Sequence, residues 1–193
     1  MLTGLSLQQI RFIPAGQPPH RSAPQVTAAA RLDMVRLACA DHTDFVVDER
    51  EALRAAPSYT VDTLTELRAE LGADQAMCLL LGADAYLDLQ SWHRWQELFQ
   101  LAHLVVAHRP GFPQSAWAEH MPPALAQAHA ARYTERPDDL ETAPAGRIHA
   151  LAITALDISA SRIRADLQRG ASPRYLLPDA VLNYISTRKL YTE

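Results

Sequence analysis

Apolar and polar positions along this chain repeat with two periods, and the switches between them outline its elements. Short apolar runs occur at residues 10–13, 45–47, 77–81, 104–107 and 148–156, the first closed by Pro14 and the third by Gly82, and each predicts a strand. The run at 77–81 is continuous up to Gly82, which predicts a strand covered on both faces. Between the runs the period lengthens. Residues 25–40 place Ala29, Leu32, Val35, Leu37 and Cys39 at mostly helical spacing. Pro57-Ser58-Tyr59-Thr60 opens an amphipathic helix through Leu64, Leu67 and Leu71, ended by Gly72. Residues 83–89 and 95–101 also read as helical, and residues 178–185 as a last short helix with Asp179 in its first turn. Residues 112–146, rich in Ala, Pro and His, are broken by Pro113, Pro122, Pro123, Pro137 and Pro144. They predict an elaborated surface connection with helical pieces around 124–131. Strands alternating with helices predict an α/β fold with a largely parallel sheet, in one domain spanning 1–193.

Composition narrows the function. At 193 residues and 48% hydrophobic, the chain is long enough for a real core, and no apolar run approaches the length of a membrane span. A net charge of −4 argues against a broad nucleic-acid footprint, so any anion site must be local. Cys39 and Cys78 stand in apolar company without metal-ligand spacing and read as free thiols in a reducing cytoplasm. No metal site, membrane or nucleic-acid partner is expected, and homo-oligomerisation is left open. Gly-x-Ser-x-Gly, His-Glu-x-x-His and Walker patterns are absent.

The strongest chemical signal is Ile158-Ser159-Ala160-Ser161-Arg162-Ile163-Arg164. Asp157 and Ser159 are good N-cap residues, and a helix N-terminus offers unpaired N–H groups and a positive dipole end. Ser159 and Ser161 add short donors, and Arg164 lies about a turn further in, so the segment reads as a phosphate site. In parallel sheets ligands bind beyond the carboxyl ends of the strands. Other unusual residues fall there: Pro18-Pro19-His20-Arg21, Gly82-Ala83-Asp84 and Arg109-Pro110-Gly111. His20 and Arg21 are candidate phosphate contacts or simply solvated loop residues. Gly82 lets a nucleotide approach and Asp84 accepts from ribose hydroxyls, unless Asp84 merely caps the next helix. Trp92 suits stacking on a flat cationic ring, whereas Trp95 reads as a core filler. His42, His103, His120, His129 and His149 read as structural or solvated, and His108 has no obvious partner.

These segments, in order, resemble the bacterial nicotinate-nucleotide adenylyltransferases. The resemblance rests on Phe12-Ile13-Pro14 with Pro18-Pro19-His20, Pro57-Ser58-Tyr59-Thr60, Leu81-Gly82-Ala83-Asp84 and Ser91-Trp92-His93. It continues through Ala102-His103-Leu104-Val105-Val106 with Arg109-Pro110-Gly111, then residues 158–164, and Leu177-Pro178-Asp179-Ala180-Val181 with Tyr184-Ile185. It implies a Rossmann-like nucleotidyltransferase fold and adenylyl transfer from MgATP to nicotinate mononucleotide in NAD biosynthesis. By the same resemblance His20 and Arg164 are catalytic. Gly82, Asp84, Ser159, Ser161 and Arg164 take ATP, and Thr60, Asp84, Trp92, His93 and Arg109 join His20 on the mononucleotide. Mg²⁺ arrives with ATP.

The family opens on a strand and a Gly-Gly-[Ser/Thr]-Phe-Asp-Pro-x-His-x-Gly-His loop that are not found after Met1. The expectation is that numbering begins at an internal methionine, with a truncated remnant as the alternative. Loss of that strand would leave two neighbours with unpaired edges. Two other readings stay open at this point, a nucleotide-binding module without turnover and a sibling such as a phosphopantetheine adenylyltransferase.

Overall fold

Parallel pairing runs through both sheets of this chain, so each pair of neighbouring strands needs a crossover to connect it. The structure is a computed structural model and describes residues 3–17, 25–108, 117, 119–154, 156 and 158–192. Its contacts fall into two compact units, Met1–Ser58 with Leu156–Glu193, and Tyr59–Ala155. The α/β class and the parallel order are as expected from the sequence. The strands, however, are distributed over two sheets, one of two strands and one of four.

In the first unit, β1 (Ile10–Phe12) pairs with β2 (Phe45–Val47), Ile10 opposite Phe45 and Phe12 opposite Val47. The crossover carries α1 (Ala28–Cys39), whose N-cap Thr27 accepts the Ala30 N–H at 3.2 Å. Leu32 and Cys39 of α1 are buried, as are Val181 and Ile185 of α8 (Asp179–Thr187). The Tyr184 hydroxyl of α8 donates to Asp33 of α1 at 2.8 Å. A short helix α2 (Arg50–Leu53) was not legible, because four residues carry too little periodicity. Its Glu51 carbonyl would lie 2.0 Å from a Cβ at position 16, so only glycine lets the β1 exit pass α2. Arg31 of α1 donates to the carbonyls of Ala15 and Gly16 (2.7 Å for Gly16) and so fixes that exit.

The second unit is built on the strand order β3–β4–β6–β5, namely Cys78–Gly82, His103–His108, Ile148–Ala152 and Tyr133–Thr134. Residues 103–106 of β4 are fully buried, as suits an inner strand. Only Leu81 is buried in β3, against the expectation of cover on both faces. The reason is topological: among the described residues β3 pairs with β4 alone and is an outer strand. Helix α3 (Thr60–Leu71) buries Val61, Leu64 and Leu67, leaves Leu71 exposed, and ends at Gly72 with φ 93°.

The region read as surface connection needs correction. The helical piece expected around 124–131 is α6 (Pro123–Arg132), but the region also contributes Trp117, Leu125 and Leu140 to the core and so is not only surface. Trp117 is 0% exposed, whereas Trp95, the expected core tryptophan, is half-buried and meets Phe99 of α5 (Leu98–Leu101) edge-on at 6.0 Å. Three histidines are structural, as expected. His103 accepts the Arg147 N–H at 3.0 Å and donates to the Ala143 carbonyl at 2.8 Å; burial lowers its pKa and keeps it neutral. His149 bonds the Thr134 carbonyl, and His129 pairs with the Tyr86 hydroxyl at 2.8 Å.

At the other end of α3, one guanidinium gathers five carbonyls. Arg68 donates to Gly72 at 3.2 Å, Ala73 at 3.4 Å, Gln75 at 2.5 Å and Pro144 at 3.0 Å, and also to Leu101. Cys39 and Cys78 are both free thiols, and burial pushes Cys78 up to about 11. Among the described residues no helix is long and apolar enough to cross a membrane.

Candidate active site

Strand β3 runs out at Gly82, which is also the N-cap of α4 (Ala83–Leu87). Gly82 has ordinary φ and ψ of −73° and 155°, and a Cβ added there would meet nothing within 4 Å. The missing side chain is therefore not required by packing; it leaves open space above the strand end. Asp84 follows in the first turn of α4. It is exposed, and its carboxylate makes no hydrogen bond or ion pair among the described residues. The alternative of Asp84 as a helix cap is not what the structure uses, since that position belongs to Gly82.

Helix α3 begins at Thr60 after Tyr59, whose side chain gives no capping bond. The first intrahelical bonds are those of Asp62 and Thr63 to the Tyr59 carbonyl, at 3.1 and 3.2 Å. The N–H groups of Thr60 and Val61 precede them and face out of the helix. Beside this terminus stands the segment carrying Trp92 and His93. The His93 ring packs on Tyr59 with centroids 4.5 Å apart, and the Arg94 guanidinium reaches Asp62 at 3.4 Å. Thr60 and His93 are thus brought together, with half-buried Trp92 next in the chain. The Trp92 backbone is tied locally, its N–H to Leu89 at 3.0 Å and its carbonyl to Trp95 at 3.2 Å. That leaves the indole as the part able to meet a ligand.

Arg94 was not singled out from the sequence. It sits in the left-handed region, φ 51° and ψ 39°, and starts the 3₁₀ turn Trp95–Glu97. Its guanidinium forks onto Glu97 at 2.8 and 2.6 Å, which holds the Glu97 carboxyl below its ordinary range. An arginine gives no sequence hint of positive φ. An acid in the first turn of a helix, here Asp62, was the readable half of the pair.

The residues read from the sequence as a phosphate site lie in the first unit, at the start of α7 (Ala160–Gln168). Ser159 is the N-cap, its Oγ accepting the Arg162 N–H at 3.2 Å. Arg164 is half-buried, donates to Ser161 Oγ at 3.4 Å, and lies with Arg31 near enough to Tyr191 to oppose the upward effect of burial on that phenol. One turn of helix therefore presents two hydroxyls, a guanidinium and the N–H groups of Ala160 and Ser161. His20, Arg21, Arg109 and Asp157 fall outside the described residues.

Residues 3–166 match the cytidylyltransferase-like family, which makes this parallel α/β chain a nucleotidyltransferase. The chain is 51% identical over 187 residues to "Probable nicotinate-nucleotide adenylyltransferase" of Dechloromonas aromatica, covering 97% of this chain and 85% of that protein. A protein of the same name from Acidithiobacillus ferrooxidans is 48% identical, with 97% and 84% covered. The chain belongs to the nicotinate-nucleotide adenylyltransferase family. A structure of Plasmodium falciparum nicotinic acid mononucleotide adenylyltransferase complexed with NaAD superposes with a TM-score of 0.66 over 96% of this chain and 83% of that one. At 16% identity that likeness supports the fold alone.

Proposed function

We propose that this chain transfers the adenylyl group of MgATP to nicotinate mononucleotide, giving deamido-NAD and pyrophosphate. The observation that carries the reading is the packing of His93 on Tyr59, which sets the α3 N-terminus beside Trp92. A pyridine ring stacked on Trp92 would have its carboxylate at the N–H groups of Thr60 and His93, where backbone dipoles favour an anion. Asp84 takes ribose hydroxyls in the space left open by Gly82. Ser159, Ser161 and Arg164 take the ATP phosphates. His20 and Arg109 are assigned to the mononucleotide by resemblance alone.

The chemistry asks for no covalent enzyme intermediate. An oxygen of the mononucleotide phosphate attacks the α-phosphorus in line; the bond to the bridging oxygen breaks, and pyrophosphate leaves with both electrons. Mg²⁺ enters as part of the substrate. The chain supplies alignment and charge neutralisation, Arg164 foremost. We take 1–193 as one catalytic domain.

Pyrophosphate release from MgATP and nicotinate mononucleotide tests the proposal directly. Trp92→Ala should raise the KM for the mononucleotide about tenfold or more, as expected for loss of ring stacking. The KM for ATP should stay unchanged. An equal rise for both substrates would make Trp92 a structural residue. ATP binding by folded protein with no pyrophosphate formed would favour a binding module instead.

A further inference from the structure

We propose that Arg94 sets the preference for the acid form of the pyridine substrate by masking the carboxylate of Asp62, without touching the substrate itself. The inference rests on the reading that places the ring at Thr60, Trp92 and His93. Asp62 is the third residue of α3, two beyond Thr60, in the turn whose N–H groups would receive the substrate carboxylate. An acid there suits the helix dipole but repels an incoming anion. A site that must attract a carboxylate thus carries a fixed negative charge beside its donors.

Arg94 resolves the conflict. Among the described residues it is the ion-pair partner of Asp62, at 3.4 Å, and its other edge is held by Glu97 at 2.8 and 2.6 Å. The guanidinium reaches both acids from a left-handed backbone that is uncommon for any residue but glycine. The His93 ring, next in the chain, packs on Tyr59. Without the cation, the Asp62 carboxylate would stand unopposed in that turn. The neutral amide analogue would feel almost nothing, so the loss should select against the acid.

The Asp62 and Arg94 side chains are 44% and 45% exposed, so solvent moderates the effect and salt should shrink it. Calorimetric binding of nicotinate and nicotinamide mononucleotides reads it without requiring turnover. Arg94→Gln should weaken the acid by about threefold to tenfold at low salt and leave the amide unchanged. Arg94→Lys should keep most of the acid affinity. Asp62→Asn added to Arg94→Gln should restore it. Equal loss of acid and amide, or no restoration by Asp62→Asn, would overturn the proposal. Should Arg94→Gln fail to fold, Asp62→Asn alone decides: acid affinity held or raised supports it, acid affinity lost overturns it. Wild-type protein that binds neither mononucleotide overturns the proposed function and this inference together. Wild type that prefers the acid, with Arg94→Gln unchanged, overturns this inference alone.

Discussion

Arg164→Ala is expected to lower kcat/KM for ATP by roughly a hundredfold, the usual cost of removing one charged donor from a transition state. The melting temperature should not move. The side chain makes one weak hydrogen bond among the described residues, to Ser161 at 3.4 Å, so little packing is lost with it. What is lost is a planar, permanently charged fork one turn into α7, above N–H groups that have no intrahelical partner. Arg164→Lys should recover part of the rate, since a point charge neutralises phosphate without matching two oxygens at once. Calorimetric ATP binding on the same variants separates ground-state from transition-state loss. Unchanged ATP affinity together with unchanged kcat/KM would remove Arg164 from the phosphate site.

Trp117→Ala is expected to cost about 3–5 kcal/mol, the range for emptying a fully buried large aromatic position. In a chain of this size that lowers the melting temperature by on the order of 10 °C. Trp117 is 0% exposed and meets Tyr86, His108 and His129 at ring separations of 5.7, 5.8 and 6.3 Å. Its indole N–H has no hydrogen-bond partner among the described residues. Trp117→Phe should therefore be nearly neutral, because the smaller ring gives up contact area but also removes a buried unpaired donor. Thermal melts followed by circular dichroism read both variants. A tolerated alanine would mean that the core of this unit does not depend on residue 117.

The periodic parts of the chain were legible. Inner strand β4 declared itself by Leu104-Val105-Val106, and α3 by Leu64 and Leu67 with Gly72 at its end. The partition into two sheets was not, since strand pairing is set by contacts distant in sequence that a local pattern does not encode. Strand β3 read as covered on both faces because Met77 to Leu81 is apolar throughout, yet among the described residues it pairs on one side only and buries Leu81 alone. Trp117 was hidden among prolines and alanines that read as a surface loop. Among the candidate site residues, the strand end at Gly82 and the helix start at Ser159 were readable from composition and order. The Arg94–Asp62 pair was not, because it joins residues 32 apart through a backbone conformation that arginine does not advertise.

The clasp at Arg68 bears on how this protein can change. Its five acceptors are all main-chain carbonyls, so what the guanidinium recognises is the path of the backbone and not the identity of any side chain. Residues 73, 75, 101 and 144 can be exchanged for others that keep the same course, with no matching change required at position 68, whereas Gly72 is held to glycine by its φ of 93°. The reverse does not hold: a lysine there is a compact charge with three donors, and it cannot span acceptors on three separate segments. Library selections over this region should accordingly return many solutions for the loops and one for the arginine.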